Sequence, residues 1–482
     1  MIRFGTDGWR GITGQDFTEE AVTLAARGFA RYLKRVQGSG VRGQGISLSP
    51  GPAPIVVGYD TRLRSKEFAE AAAEALASEG FDALLASRFA PTPAIASALV
   101  AQGAGGGVII TASHNPPQYN GFKVRDERGA SPPSSVTSAI EEEIEGLRQP
   151  SAISHQPSAT GRITLSDPIP LHLGRLARLV DLRAIASSGF QIVIDPMYGA
   201  GQGAFFHLLQ GLGLKTEEIH GEVDPSFGGR NPEPMASNLE ELSSKIRSLP
   251  GWRKVGLAFD GDADRLGAVD EEGRFVTPHH VFALLLKHLK EHRGLEGTVV
   301  KTFSVTRMVD RLASRYSLPL RETPIGFKYI AEVMLREQVL IGGEESGGIG
   351  VIDHIPERDA FLAALLLLEL LAVTGKPLGR LIKELEEELG PHRYHRLDLH
   401  LEQGLIRERL NALKKAPPER VETFRVEEVK TLDGVKLLLE EGPWLLFRPS
   451  GTEPVIRLYA EAQSEEGVQD LLQWGKAFIG GI

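Results

Sequence analysis

The chain contains no cysteine. Disulfides and thiolate metal sites are therefore excluded, and cysteine usage reveals nothing about the redox compartment. Long hydrophobic runs are missing too. The longest, Ala360 to Leu368, falls far short of a membrane span. No apolar stretch follows Met1-Ile2-Arg3-Phe4-Gly5, so no signal peptide is expected. An excess of positive charge is also absent: 54 basic residues against 63 acidic ones leave a net charge of −9. That balance argues against nucleic acid as the main partner. It leaves a small anionic substrate open, because only the local field at a site matters for that. The expectation is a cytoplasmic globular enzyme with no membrane partner.

What is present is length and alternation. With 482 residues the chain exceeds one core, and three or four domains are expected. Strand and helix signals alternate through most of it. Ile55 to Asp60 reads as a buried strand ending in polar residues, followed by a helix over Ser65 to Ser78 and a strand over Ala83 to Ala86. The pattern restarts at Phe190 and again near Pro278, so three similar α/β units are expected, with strand-to-loop ends at Ser113, Asp260 and Gly343. After Gly390 short alternating runs and a closing helix predict an α+β domain with an antiparallel sheet. The expected boundaries are 1–160, 161–275, 276–390 and 391–482. Gln37 to Pro54 reads as a mobile surface loop and Gln149 to Arg162 as a linker.

Several loops carry chemistry. The apolar run Val108-Ile109-Ile110 ends in Thr111-Ala112-Ser113-His114-Asn115, and Pro116 and Pro117 then forbid a helix. A strand thus delivers Ser113 to a loop at its C-terminal end, where open α/β sheets place ligands. Gly121 to Val124 returns as a strand and brings Lys123 back. Ser113 reads as a nucleophile that carries phosphate; Lys123 could equally be a solvated surface lysine and His114 a packing histidine.

Asp260-Gly261-Asp262-Ala263-Asp264-Arg265 follows a buried strand. Three carboxylates at alternate positions of an extended chain repel unless a cation lies between them. Oxygen-only ligands favour a hard ion, Mg²⁺. A calcium loop would need Glu271 as its last ligand, but Leu266 to Val269 reads as strand and breaks it. Arg448-Pro449-Ser450-Gly451-Thr452-Glu453-Pro454 offers a guanidinium, hydroxyls and an open backbone, which favours phosphate over an ordinary hairpin turn. In Gly342 to Gly348, Glu344 and Ser346 would face one way in an extended chain and suit paired sugar hydroxyls; alone, this loop reads as a flexible glycine loop. Thr6 to Gly11 presents Arg10 in a tight turn. The pair His279-His280 is expected at a domain joint, without chemistry.

Together the four loops resemble the α-D-phosphohexomutase superfamily, nearest its bacterial phosphoglucomutase/phosphomannomutase branch. The matches are Thr111 to Pro116, Asp260 to Arg265, Gly343 to Gly347 and Arg448 to Pro454, in the family's order. The resemblance implies three α/β domains with mixed sheets and a smaller fourth domain around a central cleft. It implies that Ser113 is phosphorylated and that Asp260, Asp262 and Asp264 hold Mg²⁺ with the serine phosphate as a further ligand. Glu344 and Ser346 would read sugar hydroxyls; Arg448, Ser450, Gly451 and Thr452 would bind the phosphate that is not reacting. Arg10 and Lys123 would flank the reacting phosphoryl group beside His114, with Lys123 as general acid/base. Lys301 and Arg265 would lie near the substrate. Lys123 serves as a base only if Mg²⁺ and Arg10 lower its pKa.

The implied reaction interconverts hexose 1-phosphate and hexose 6-phosphate, with hexose 1,6-bisphosphate as intermediate and activator. Some relatives carry a histidine at the position of Gly348 and differ over Gly326-Phe327-Lys328, which leaves glucose against mannose open. Glu345, where phosphoglucosamine mutases carry glutamine, lowers that reading. Net synthesis of glucose 1,6-bisphosphate is an alternative inside the family; a phosphoserine-type sugar phosphatase and a non-catalytic sugar-phosphate sensor are alternatives outside it. The expected assembly is a monomer or homodimer.

Overall fold

The computed structural model describes residues 2–38, 53–148, 160–450 and 454–480. Most of the expected loop over Gln37 to Pro54 and linker over Gln149 to Arg162 lies outside these residues, as do Gly451 and Thr452.

Four sheets carry the chain, one per unit. In the first, Ile55–Tyr59 is flanked in parallel by Ala83–Ala86 and Gly106–Ile110, and Tyr119–Arg125 returns antiparallel to Gly106–Ile110. Trp9–Ile12 adds an antiparallel edge. The opposite edge is Ile163–Ser166, parallel to Ala83–Ala86. This strand lies past the expected boundary at 160, so the first sheet draws its last strand from beyond it. The second sheet repeats the plan: Gln191–Asp195 and Lys254–Phe259 run parallel, and Leu266–Val269 returns antiparallel. So does the third, with Thr298–Thr302 parallel to Val339–Gly343 and Ile349–Val351 returning. All three sheets are mixed, as expected for three similar α/β units. The fourth is antiparallel throughout, from Arg393–His400 to Arg420–Val421.

The repeat positions the chemistry. In each of the first three sheets a buried, mostly apolar parallel strand ends, a short loop follows, and an antiparallel strand returns. The serine loop, the aspartate loop and the glycine-rich loop fill these three equivalent places. The second and third of them are joined by helix Ala360–Thr374, which is apolar all round and therefore buried on nearly every face. Its Phe361 ring lies 4.9 Å from Phe205 and 5.0 Å from Phe259, joining the second and third units. Among the described residues no single helix is long and apolar enough to cross a membrane.

The fourth unit docks on the third through buried polar contacts. The His279 ring packs edge-on against Tyr394 at 4.2 Å, Arg307 N donates to Glu461 Oε1 at 3.0 Å, and Lys436 Nζ donates to the Phe303 carbonyl at 2.7 Å. His279 is thus a joint residue, as its sequence position predicted.

Candidate active site

Ser113 occupies the left-handed region, with φ of 52°, which costs a non-glycine residue on the order of 1 kcal/mol or more. The surrounding loop holds it there. Ser113 N donates to Thr111 Oγ1 at 2.9 Å, and Tyr119 N closes the proline turn onto the Pro116 carbonyl at 3.0 Å. The main restraint is Arg62, which the sequence did not single out. Its Nη2 donates to the carbonyls of Ser113 and Asn115, both at 2.6 Å, and its Nη1 to those of Pro116 and Tyr119, both at 2.9 Å. Asp60 holds Arg62 from behind, with Oδ2 3.3 Å from Nε, and the Phe227 ring of the second unit covers the guanidinium. One buried side chain therefore fixes four carbonyls of the serine loop.

The aspartate loop lies directly against it. A Cβ on Gly261 would come within 2.4 Å of the Ser113 carbonyl, so only glycine permits the approach. The loop is a tight turn, not the extended chain that alternate spacing implied. Asp260 Oδ1 accepts from the backbone N–H groups of Asp264 and Arg265, at 2.9 and 3.1 Å, and Ala263 is left-handed. The carboxylates still converge: Asp260, Asp262 and Asp264 are fully buried and present oxygens within 4.8 Å of one another. Ser113 Oγ donates to Asp260 Oδ2 at 2.7 Å.

Among the described residues Asp262 Oδ1 and Asp264 Oδ1 have no hydrogen-bond partner. Burial, then repulsion by Asp264 and Asp262, pushes the Asp260 carboxyl well above its usual range. Buried carboxylate oxygens with unused lone pairs and no sulfur or nitrogen donor fit a hard divalent cation.

Around this trio stand cations. Lys123 Nζ lies 2.8 Å from Asp7 Oδ2, 2.8 Å from Asp262 Oδ2 and 3.4 Å from Asp264 Oδ2. Burial lowers its pKa, but attraction by Asp262, Asp7 and Asp264 is the stronger effect and raises it on balance. Among the chain's own groups the facing carboxylates thus outweigh the neighbouring cations at Lys123. The neutral base beside the nucleophile is His114, whose Nδ1 lies 3.3 Å from Ser113 Oγ. Burial, reinforced by Arg265, Arg10, Arg358 and Lys123, pushes it well below the usual imidazole range. Arg10 Nη1 donates to Asn115 Oδ1 at the tip of the serine loop, and Arg265 Nη1 to Glu233 Oε1 at 3.3 Å.

The glycine-rich loop is also turned. Glu344 N donates to the Gly348 carbonyl at 3.0 Å and Gly347 N to the Glu344 carbonyl at 3.2 Å, so Glu344 and Ser346 do not share a face by alternation. Glu344 is buried and its Oε2 accepts from Arg358 Nη1 at 2.9 Å, whereas Ser346 is half-buried in the turn. Burial raises the Glu344 pKa, with Arg358 opposing. Glu345 turns away and accepts from Ser304 Oγ at 2.6 Å. Leu266 N donates to the Gly347 carbonyl at 3.1 Å, which stitches this loop to the aspartate loop.

Lys301 is not brought to the cluster. Its ammonium is buried against Asp310, the Val305 carbonyl at 3.4 Å and Glu322 at 3.7 Å. Arg448 stands at the end of strand Trp444–Pro449, and its Nε donates to Asp433 Oδ2 at 2.9 Å. The same oxygen accepts from Ile325 N at 2.9 Å, tying the arginine to the third unit. Ser450 N closes this loop onto the Val455 carbonyl at 2.8 Å.

Three further groups at the centre escaped the sequence: Asp7, Arg125 and Arg358. Arg358 Nη2 lies 2.8 Å from both Asp7 Oδ2 and Asp264 Oδ2. Most of their partners lie far along the chain, up to 351 positions away, and although Asp7 lies in the Thr6–Gly11 turn, that motif pointed to Arg10.

Comparison with known proteins agrees with this geometry. Phosphoglucomutase/phosphomannomutase alpha/beta/alpha domains I, II and III match residues 1–151, 171–273 and 277–389, and the C-terminal domain of that family matches 405–473. A phosphoglucomutase/phosphomannomutase of Thermococcus kodakarensis is 33% identical over 476 residues, covering 98% of this chain and 97% of that one. A phosphoglucosamine/phosphogalactosamine mutase of Sulfurisphaera tokodaii is 30% identical over 485 residues, covering 99% of each. The crystal structure of a putative phosphomannomutase from Thermus thermophilus superposes with a TM-score of 0.85 at 35% identity, covering 100% of this chain and 99% of that one. With its serine and aspartate loops locked together by contact, and all four domains matched in order, the chain belongs to the phosphoglucomutase/phosphomannomutase family.

Proposed function

We propose that the protein is a phosphohexomutase that interconverts hexose 1-phosphate and hexose 6-phosphate, of glucose and/or mannose, through phosphorylated Ser113 and a hexose 1,6-bisphosphate. The observation that carries this reading is the 2.7 Å contact of Ser113 Oγ with Asp260, inside a buried aspartate trio, on a loop clamped by Arg62. Mg²⁺ held by Asp260, Asp262 and Asp264, with the serine phosphate as a further ligand, would supply charge neutralisation for the transferring phosphoryl group.

The chain's own residues do the rest. In the first half-reaction the P–O bond to Ser113 breaks and a P–O bond to the free sugar hydroxyl forms. The sugar hydroxyl gives up its proton as its P–O bond forms, and the departing Ser113 oxygen takes one up; His114, 3.3 Å from Ser113 Oγ, stands on the serine side of this exchange, and Lys123 stands beside the aspartate trio. Lys123 and Arg10 serve as fixed positive charge on the phosphoryl oxygens. Glu344 orients the sugar, and Arg448, Ser450, Gly451 and Thr452 would hold the remote phosphate. Their exchange of the two phosphates of one bisphosphate turns a phosphotransferase into a mutase. A cleft closed over the phosphoserine would keep water from hydrolysing it, whereas a phosphatase must admit water there.

Phosphoglucosamine remains the second substrate reading, weightier than Glu345 alone made it, because relatives bearing that name match nearly the whole chain at 30% identity. A coupled assay with glucose 1-phosphate, mannose 1-phosphate and glucosamine 1-phosphate at saturating Mg²⁺ tests the proposal. Conversion to the 6-phosphate without inorganic phosphate supports it. Release of inorganic phosphate as the main product overturns it in favour of a phosphatase.

A further inference from the structure

We propose that Arg358 is a positioning residue that fixes Glu344 for recognition of a sugar hydroxyl. This rests on the phosphohexomutase reading and deepens it.

Arg358 is the middle of Glu357-Arg358-Asp359, three successive charged residues that are all buried. Each side chain engages a different part of the molecule. Glu357 Oε2 meets Arg125 Nη2 of the first unit at 2.6 Å. Asp359 caps helix Ala360–Thr374, with Oδ1 accepting from Phe361 N and Leu362 N at 2.9 and 3.1 Å. Its Oδ2 lies 2.9 Å from His354 Nε2 and 3.3 Å from His172 Nε2. This His–His–Asp group has the composition of a metal site, but His354 and Asp359 are already engaged with each other and with Arg175. Arg175 Nε donates to His354 Nδ1 at 3.1 Å, so His354 carries its ring proton on Nε2 and donates it to Asp359. The cluster is an anchor.

Pinned on both sides, the residue between has little freedom. Arg358 Nη1 donates to Glu344 Oε2 at 2.9 Å, while Nη2 is held by Asp7 Oδ2 and Asp264 Oδ2. The guanidinium lies over the Phe327 ring, and the stem lies against Gly348, where a Cβ would come within 2.6 Å of Arg358 Cδ. Gly348 therefore makes the space that Arg358 fills. A planar guanidinium bonded to one carboxylate oxygen fixes the plane of the carboxylate and directs the other oxygen. Among the described residues Glu344 Oε1 carries no hydrogen bond, which leaves it for a ligand.

The test is equilibrium binding of glucose 6-phosphate and its monodeoxy analogues to the Mg²⁺-loaded full chain. The wild type should discriminate by about 10- to 100-fold against the analogue lacking the hydroxyl that Glu344 accepts, the range of one charged hydrogen bond. Arg358→Gln should bring that ratio close to one, and adding Glu344→Gln should change it no further. Arg358→Lys keeps the charge without the fork, and Gly348→Ala displaces the stem while leaving the residue in place; both should lower the ratio, so the proposal stays testable should Arg358→Gln fail to fold. Wild-type discrimination in Arg358→Lys and Gly348→Ala overturns the inference alone. Failure of the wild type to bind any hexose phosphate overturns the mutase reading along with it.

Discussion

Ser113 spends backbone energy to be where it is, and Arg62 is what holds it there. The four carbonyls that Arg62 binds belong to one loop, so shortening or losing its fork should let the nucleophile drift without touching the substrate. Arg62→Lys should lower kcat by about 100-fold, the loss expected from a misplacement near 1 Å, with little change in KM. Arg62→Ala should instead cost roughly 3–5 kcal/mol of stability, because it strands buried Asp60 without its cation. Steady-state kinetics and urea unfolding separate the two effects. Ser113→Ala should abolish turnover while leaving the unfolding midpoint close to wild type; residual activity near the wild-type level would refute the nucleophile.

The unit that repeats is strand, loop, antiparallel return, and its precision depends on glycines at close approaches. Gly121 lies in the return strand of the first unit, where a Cβ would meet the Thr111 carbonyl at 2.4 Å and the Trp9 carbonyl at 3.0 Å. Thr111 N donates to the Gly121 carbonyl, so the clash falls at the root of the serine loop. Gly121→Ala should destabilise the protein by about 1–3 kcal/mol, read as a lower urea midpoint, and should lower kcat more than a remote substitution of equal cost. The same layout explains what was legible. The loops of Ser113, Asp260 and Glu344 stand out in the sequence because each is a contiguous motif at the end of an apolar strand. Arg62, Asp7 and Arg358 do not, since their meaning lies in partners up to 351 positions distant. Lys301, which only the family resemblance puts near the substrate, ends a strand, and its side chain turns toward Asp310. Position along a strand does not say which way a lysine points once a nearer carboxylate competes for it.

At the scale of the molecule, buried histidines sit where units meet. Burial pushes His172 down to about 4 and His279 down to about 3. Between pH 6.5 and 4 the unfolded chain takes up protons on these rings that the folded chain refuses. Stability must therefore fall as pH falls through that window, by on the order of 3 kcal/mol for His172. Urea midpoints measured from pH 7 to pH 4 should show the slope, and His172→Asn should flatten it. Removal of divalent cations acts at the same scale. Thorough EDTA treatment should silence turnover and Mg²⁺ should restore it, and Asp262→Asn should weaken Mg²⁺ binding in calorimetry. Activity that survives chelation would refute the metal role of the aspartates.

The buried Glu357-Arg358-Asp359 segment has a consequence for how the protein is made. A ribosome that has finished only the first two units has produced Ser113, the three aspartates and Lys123, yet not the guanidinium that Asp7 and Asp264 share. Domains emerging from synthesis fold in order from the N-terminus. The nascent centre must therefore wait without the cation that Asp7 and Asp264 share until the third unit arrives, and its completion is a late, long-range step in folding. Substitutions in this segment should thus slow maturation of the enzyme more than their distance from the phosphoryl group would imply, visible as delayed recovery of activity on refolding.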